Sequence, residues 1–311
     1  MRTTQTVRTL LDGYRGERPG VTASLSRMLM HGRLAGTGRM VILPVDQGVE
    51  HGPAQSFAAN PQGYDPLYFF ELALEAGLSA LAAPLGLLAV GADRHAGEIP
   101  LILKANNANR LGAVKDEAIT ATVRDALELG CSGIGYTIYP GSDRQYDMFE
   151  EVREGASEAR AHGLAVVVWA YPRGGMIDAA AETALDIVAY GAQIAAQLGA
   201  HIIKVKLPTQ DIALPASRDA YGAMPGLAHA ERRVAHVMDA AFAGRRIVLF
   251  SGGPSKATGS VLDEARAIRA GGGHGSIIGR NVFQRSRSEA LAMLDDLIAI
   301  YQSGGERGDE S

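Results

Sequence analysis

The sequence has a single cysteine, Cys131, among its 311 residues, so no disulfide can form within the chain. A lone cysteine is typical of proteins from a reducing compartment, and we therefore expect a cytoplasmic location. The sequence also has no apolar run of roughly 18 residues, the length that a membrane-spanning helix needs. Its first residues contain no apolar signal core. These absences predict that the protein is not associated with a membrane.

The chain also has no excess of positive charge. The 30 Lys and Arg residues are outnumbered by 34 Asp and Glu, which gives a formal net charge of −4. No strongly basic block stands out, although nucleic-acid-binding proteins carry clustered Lys and Arg. The charge pattern therefore argues against a nucleic-acid partner.

One pattern recurs through the chain: a helix end, then a glycine, then a small or apolar strand. It is visible at Gly77, Gly130, Gly199 and Gly271. Glycine suits this position because it readily takes the left-handed conformation that ends a helix. Repetition of this unit indicates βα units around a parallel sheet.

Strand candidates occur throughout the chain, near 40–46, 78–83, 100–105, 132–138, 164–170, 201–206, 246–251 and 276–279. Helical patterns lie between many of them, at 116–129, 144–162, 179–198, 226–243, 256–270 and 286–302. Eight strands over roughly 260 residues match a (β/α)8 TIM barrel. An open doubly wound sheet is the alternative, but the early Gly-rich fingerprint that such a sheet would favour is missing.

We therefore predict a single α/β TIM barrel over residues 39–302, with a helical N-terminal extension over residues 1–38. The extension has an amphipathic pattern, which fits a helix that closes the barrel bottom or a subunit contact. Residues 303–311 are polar and Gly-rich, and we expect them to be disordered.

Two lysines, Lys204 and Lys206, lie in the apolar strand candidate "AHIIKVKLPT" (200–209). Side chains alternate along a strand, so Ile203 and Val205 are expected to face the outer helices. Ile202 and the two lysines are then expected to face the barrel interior. Desolvation and repulsion between the ammonium groups both favour a neutral, nucleophilic amine. That is what Schiff-base chemistry needs; the alternative is a lysine paired with Asp46 or another carboxylate.

Two glycine-rich segments follow the last two strand candidates, Ser251-Gly252-Gly253 and Gly279-Arg280. Loops at these places form the usual phosphate site of a TIM barrel. Exposed backbone N–H groups can hold the anion, and an arginine can add a bidentate contact. Tight turns would also explain the glycines, and Arg280 could pair with a carboxylate instead.

Histidine spacing gives little support to a metal site. No two of the eight histidines have a close ligand spacing such as HxH or HExxH. His51 with Asp46 and Glu50 is the one combination worth weighing, and we expect no metal and no other cofactor.

Five segments, each at the end of a strand candidate and in this order, give the chain a family resemblance. They are "LPVDQGVEHGP" (43–53), "LILKANN" (101–107), "GYTIYPGS" (135–142), "VVWAYPRGG" (167–175) and "IIKVK" (202–206). Over roughly residues 39–300 the sequence resembles the archaeal-type class I fructose-1,6-bisphosphate aldolases. Gln47 stands where many archaeal members carry a histidine.

The resemblance implies a metal-independent, homo-oligomeric TIM-barrel enzyme of glycolysis and gluconeogenesis. It would cleave fructose 1,6-bisphosphate reversibly to dihydroxyacetone phosphate and glyceraldehyde 3-phosphate. Lys204 would form the Schiff base, Tyr171 would transfer the proton, Trp169 would line the pocket, and Asp46 would orient the reacting groups.

The resemblance also implies that the loops at Ser251, Gly252 and Gly253 and at Gly279 and Arg280 hold one phosphate. Lys206 and Arg173 are secondary candidates for substrate binding. Our own inference adds Lys104, at the end of a strand candidate, as a contact for the second phosphate.

Two alternatives remain. A related Schiff-base aldolase, transaldolase or thiolase could act on another phosphorylated sugar with the same fold. A non-catalytic phosphosugar-binding barrel would keep the phosphate loops, but it would not need Tyr171 together with Lys204.

Overall fold

A computed structural model describes residues 2–252 and 256–303 of the chain. Eight parallel strands close into a barrel in which each strand pairs with the next and the last pairs with the first. The strands are β1 Met40–Pro44, β2 Ala80–Pro84, β3 Leu101–Lys104, β4 Gly133–Ile138, β5 Ala165–Ala170, β6 Ile202–Lys206, β7 Ile247–Ser251 and β8 Gly275–Ile277. The predicted TIM barrel is confirmed.

Helices surround the barrel and close its N-terminal end. They are α1 Gln5–Leu11, α2 Pro19–Leu29, α3 Gln47–His51, α4 Pro53–Phe57, α5 Pro66–Glu75, α6 Leu85–Gly91, α7 Val123–Glu128, α8 Gln145–Ala161, α9 Leu185–Gln197, α10 Arg218–Gly222, α11 Ala230–Ala240, α12 Thr258–Ala270, α13 Arg280–Phe283 and α14 Arg287–Gln302. In the described part of the chain, no helix combines the length and the apolar character needed to cross a bilayer.

The predicted helix over 116–129 starts too early. Helix α7 begins at Val123, where the Thr122 side chain accepts a hydrogen bond from the Asp125 backbone N–H and the Asp125 carboxylate accepts one from the Thr122 N–H. This capping box fixes the helix start. The preceding Ala118–Ile119 instead pairs antiparallel with Asn106–Asn107, so the loop after β3 returns to the barrel as a short ladder.

The predicted helix over 179–198 is also shorter in the structure. Helix α9 begins at Leu185, and a 3-10 helix, Ala181–Thr183, precedes it. The Asp178 carboxylate accepts hydrogen bonds from the backbone N–H groups of Ala180 and Ala181. These local bonds hold a turn where periodicity predicted a continuous helix.

The two faces of β6 separate as strand alternation predicts. Ile203 and Val205 belong to the apolar cluster that packs the barrel against its outer helices. Ile202 belongs to a second cluster, inside the barrel, together with Trp169. Because Lys204 shares its face with Ile202, its side chain is directed into the barrel interior.

The N-terminal helices pack into the bottom of that interior. Val7 of α1 and Leu25 of α2 are fully buried in the same cluster as Ile202. Tyr14 ties this segment to the barrel, because its hydroxyl donates to the His201 carbonyl and accepts from the Ile247 N–H. The Lys204 side chain must therefore be approached from the other end of the barrel. The predicted tail lies, apart from Ser303, outside the described residues.

Candidate active site

A cavity of about 690 Å³ opens at the C-terminal ends of the barrel strands. This is the end at which TIM-barrel enzymes carry their active sites. Most of the side chains and glycines selected from the sequence line it: Asp46, Tyr171, Arg173, Lys204, Lys206, Ser251, Gly252, Gly279 and Arg280. The fold thus brings together residues that are as many as 234 positions apart, counted from Asp46 to Arg280.

Lys204 lies on the floor of the cavity and is 5% exposed. Its Nζ is 5.4 Å from the centre of the Trp169 ring and 5.5 Å from that of Tyr171. Among the described residues, no carboxylate forms an ion pair with it. The amine is therefore held between two aromatic rings, without a salt bridge to occupy it, and a carbonyl that enters the cavity can reach it.

Trp169 forms the layer beneath the cavity. It is 1% exposed and does not line the open space itself. Lys104 approaches the same ring, with its Nζ 5.8 Å from the ring centre. The Nζ atoms of Lys204 and Lys104 thus both lie within cation–π distance of the same indole ring.

Lys104 is buried below the cavity, and its ammonium group contacts other residues of the protein. Its Nζ donates to the backbone carbonyl and the Oδ1 of Asn106, and lies 3.7 Å from Oε2 of Glu117. The side chains of Lys104 and Glu117 are 1% and 0% exposed. A phosphate contact by Lys104 would need its ammonium at the cavity, and the structure places it in a buried ion pair instead.

Glu117, which the sequence reasoning missed, also accepts a hydrogen bond from the Tyr139 hydroxyl. Burial raises the pKa of Glu117, and the nearby Lys104 ammonium lowers it in part. Burial also raises the pKa of Tyr139, and the Glu117 carboxylate raises it further. This cluster ties the loop after β3 to the end of β4. No sequence signal pointed to this cluster, because residue 117 fell inside a predicted helix.

At the cavity mouth, Lys206 forms an ion pair with Glu182. Oε1 of Glu182 lies 4.0 Å from Nε of Arg173. The Arg173 guanidinium stacks over the Tyr139 ring at 4.6 Å and near the Tyr171 ring at 5.6 Å. The sequence predicts repulsion between Lys204 and Lys206. In the structure a carboxylate that the sequence reasoning did not single out balances Lys206.

The end of β1 and the start of α3 supply the acidic wall of the cavity. Asp46 is 4% exposed, and its Oδ1 has no hydrogen-bond partner in the described part of the chain. Burial raises the pKa of Glu50 to about 7, and the Asp46 carboxylate contributes. Burial lowers the pKa of His51 to about 4, and the cations Arg110 and Arg280 lower it as well. A carboxylate with an unused oxygen thus faces a cavity that also contains Lys204.

The loops after β7 and β8 are held together by one side chain. The Asn281 amide donates from Nδ2 to the Gly252 carbonyl at 3.2 Å and accepts at Oδ1 from the Lys256 N–H at 2.7 Å. A Cβ at position 252 would lie 2.9 Å from Nδ2 of Asn281. Glycine is therefore required for this close approach. Ser251 precedes it at the cavity wall, and Gly253 lies outside the described residues.

The second loop also depends on a glycine. A Cβ at position 279 would lie 2.8 Å from the Pro44 carbonyl oxygen, so the end of β8 packs directly on the end of β1. Arg280 follows at the cavity wall and, among the described residues, has no carboxylate partner. Its charge is available to an anion in the cavity.

Among residues 2–252 and 256–303, no group of three or more His, Cys, Asp or Glu side chains is arranged to hold a metal ion. His51, Asp46 and Glu50 lie near one another but do not form such a group.

Comparisons with known proteins identify the family of the chain. The sequence model of one family, described as DeoC/LacD family aldolase, matches residues 40–285. The chain is 37% identical over 269 residues to a protein of Thermoproteus tenax named fructose-bisphosphate aldolase class 1, covering 86% of this chain and 91% of that one. It is 35% identical over 296 residues to a protein of Chlamydia muridarum named probable fructose-bisphosphate aldolase class 1, covering 90% and 84%.

A similar solved structure is that of an archaeal fructose-1,6-bisphosphate aldolase with its catalytic lysine covalently bound to the carbinolamine intermediate of the substrate. It superposes with a TM-score of 0.74 at 33% identity, covering 89% of this chain and 98% of that one. Since family, relatives and structure agree over nearly the whole barrel, this chain belongs to the DeoC/LacD family of aldolases.

Proposed function

We propose that the protein is a class I fructose-bisphosphate aldolase, which cleaves fructose 1,6-bisphosphate reversibly to dihydroxyacetone phosphate and glyceraldehyde 3-phosphate. The observation that carries the proposal is the position of Lys204: buried on the cavity floor, beside Trp169 and Tyr171, with no carboxylate ion pair among the described residues. The names of the relatives and the covalent lysine intermediate in the similar archaeal structure support it.

In the proposed mechanism, the neutral amine of Lys204 attacks the C2 ketone and forms a carbinolamine. Asp46, with its unused carboxylate oxygen, hydrogen-bonds the carbinolamine hydroxyl and assists its departure as water. The resulting iminium nitrogen is the electron sink for cleavage of the C3–C4 bond. Tyr171 takes the proton of the C4 hydroxyl as that bond breaks, and glyceraldehyde 3-phosphate leaves.

The electron pair of the broken bond passes to the iminium and gives an enamine. Tyr171 returns the proton that it took from the C4 hydroxyl to C3 of the enamine, which restores the iminium. Water then hydrolyses the iminium to dihydroxyacetone phosphate and free Lys204. All bonds are made and broken by side chains and water, so the scheme needs no cofactor. Trp169 forms the apolar floor on which the Schiff base is built.

The substrate's phosphates would bind at two places. Ser251, Gly252, Gly279 and Arg280 would hold the phosphate on C1, because β7 pairs with β6 and C1 adjoins the carbon that Lys204 attacks. The cations at the mouth, Arg173 and Lys206, would hold the outer phosphate.

We further propose that the protein is a cytoplasmic homo-oligomer that serves glycolysis and gluconeogenesis. The family resemblance supports the oligomer and the pathway role. The single cysteine supports the reducing compartment.

Borohydride trapping tests the proposal directly. Reduction in the presence of dihydroxyacetone phosphate should fix a covalent adduct on Lys204, located by peptide mass spectrometry. The adduct should disappear in Lys204→Arg and persist in Lys206→Met, the matched control two residues along the same strand. Full loss of activity in EDTA, with no trapped adduct, would overturn it.

The same experiment separates the alternatives. An adduct without cleavage of fructose 1,6-bisphosphate would indicate a related Schiff-base enzyme that acts on another phosphorylated sugar. Binding of the sugar phosphate with neither adduct nor turnover would indicate a non-catalytic phosphosugar-binding barrel.

A further inference from the structure

Two cations at the cavity mouth stand one layer above the reacting groups. Lys206 follows Lys204 by two residues on the same face of β6, which places its backbone about 6.6 Å nearer the mouth. Arg173 follows Tyr171 by two residues and also lines the cavity. The part of a substrate that extends away from the Schiff base would therefore meet an ammonium and a guanidinium.

One carboxylate, that of Glu182, approaches both of these cations. Glu182, on the 3-10 helix Ala181–Thr183, places Oε2 on the Lys206 ammonium and Oε1 4.0 Å from Nε of Arg173. An ammonium and a guanidinium around one anion are also the contacts that hold a phosphate. The carboxylate thus sits where an outer phosphate would find its partners.

The fit of Glu182 to this site is incomplete. Nε of Arg173 is buried and, among the described residues, has no hydrogen-bond partner, because 4.0 Å to Glu182 is too long for one. The guanidinium is nevertheless held in place by the Tyr139 ring, 4.6 Å away. A phosphate has more acceptor oxygens than a carboxylate and can satisfy this donor while keeping the contact to Lys206.

The contact with Glu182 is also exchangeable. The side chains of Lys206, Glu182 and Arg173 are 27%, 21% and 25% exposed, so water reaches the cluster. Partly exposed ion pairs contribute little stability. A phosphate monoester carries about −1.5 to −2 charges at neutral pH, and it therefore competes well against a single carboxylate.

We propose that Glu182 is an internal competitor for the outer phosphate of the substrate: it neutralises Lys206 and Arg173 in the free enzyme and leaves them when a bisphosphate binds. This inference rests on the proposed function, since it names the site of the second phosphate. The competition by Glu182 would set the affinity for the bisphosphate and the selectivity for ligands with an outer phosphate. A ligand without an outer phosphate has nothing with which to displace the carboxylate.

The sign of one mutational effect distinguishes this role from a purely structural one. If Glu182 competes, Glu182→Gln frees the cations and tightens bisphosphate binding by about threefold to fivefold, the factor that a partly exposed ion pair is worth. If Glu182 only positions Lys206, the same substitution loosens the lysine and weakens binding.

The test uses hexitol 1,6-bisphosphate, the reduced form of the substrate, which has no carbonyl and cannot react. Its dissociation constant is measured by isothermal titration calorimetry for wild type, Glu182→Gln and Glu182→Ala, with hexitol 1-phosphate as the ligand that lacks the outer phosphate. Asp116→Asn is the matched control, because Asp116 also lines the cavity but pairs with Arg144. Both Glu182 variants should gain affinity for the bisphosphate alone, and the control should not.

Unchanged or weaker bisphosphate binding in both Glu182 variants would overturn the proposal. So would an equal gain for the monophosphate, or an equal gain in the Asp116 variant, because either would reflect only a change of net charge. The probe does not react, so this result is independent of the borohydride experiment, and failure of either inference can be recognised separately.

Discussion

The buried ion pair between Lys104 and Glu117 allows a quantitative prediction. Its Nζ–Oε2 distance is 3.7 Å, and the two side chains are 1% and 0% exposed. At that distance two unit charges attract by about 4.5 kcal/mol with an effective dielectric constant of about 20. Removing one partner of a buried pair leaves the other charge uncompensated and typically costs about 3–5 kcal/mol. We therefore expect Lys104→Met to lower the free energy of unfolding by about that amount near neutral pH.

The loss of stability in Lys104→Met should depend on pH, and the ionisation of Glu117 determines the direction of that dependence. Burial raises the pKa of this carboxyl, and Lys104 opposes the rise. Without Lys104 the pKa of Glu117 rises further. A carboxyl whose folded-state pKa is raised contributes stability below its unfolded pKa and loses that contribution as pH rises through the folded-state value. The penalty of Lys104→Met should therefore be small at about pH 5 and grow toward about pH 8.

The free energy of unfolding can be measured by urea unfolding followed by tryptophan fluorescence. Trp169 is the single tryptophan, and the centre of its ring lies 5.8 Å from the Lys104 ammonium. Glu128→Gln is the matched control, since it breaks an ion pair with Arg124 at the protein surface and should change unfolding little. Replacing both Lys104 and Glu117 with methionine should recover most of the lost stability. A penalty for Lys104→Met that is no larger than the control's, or that does not vary with pH, would refute the reasoning.

Three further predictions follow from single contacts. Tyr171→Phe should still form the borohydride adduct but lower kcat for cleavage by about 10²–10⁴, the usual contribution of a positioned proton acceptor; an unchanged kcat would assign that role to another group. The KM for fructose 1,6-bisphosphate should rise as pH increases through about 7, because Glu50 then gains a negative charge at the cavity; Glu50→Gln should remove this rise, and a persistent rise would exclude Glu50 as its source. Gly275→Ala should destabilise the barrel by well over the roughly 1 kcal/mol of an ordinary substitution, because its φ is +125° and the new Cβ would overlap the Met40 carbonyl; Gly16→Ala, where φ is +95° with open space around it, is the control in thermal unfolding, and equal losses would contradict the steric argument.

Local sequence signals identified the barrel strands because each strand is short and apolar, and because a glycine ends the helix before four of them, at Gly77, Gly130, Gly199 and Gly271. The structure places β4 at Gly133–Ile138 and β6 at Ile202–Lys206, within a residue of the predicted ranges. Periodicity was less reliable where side chains bond to the nearby backbone. It predicted one helix over 116–129, but the capping box at Thr122 and the ladder at Ala118–Ile119 shorten it.

The sequence by itself determined the α/β barrel, the inward direction of Lys204 and the loops that follow β7 and β8, because these depend on strand alternation and on neighbours along the chain. Only the tertiary structure decided the partner of each cation. Glu117 lies 13 residues beyond Lys104, and Glu182 lies 24 residues before Lys206. Both lie in loops that follow a barrel strand, with Glu182 on a single 3-10 turn inside its loop. Periodicity contains no information about such loops, whose geometry is fixed by packing at the barrel mouth. That geometry leaves Lys204 without a salt bridge among the described residues, while Lys104 and Lys206 are paired.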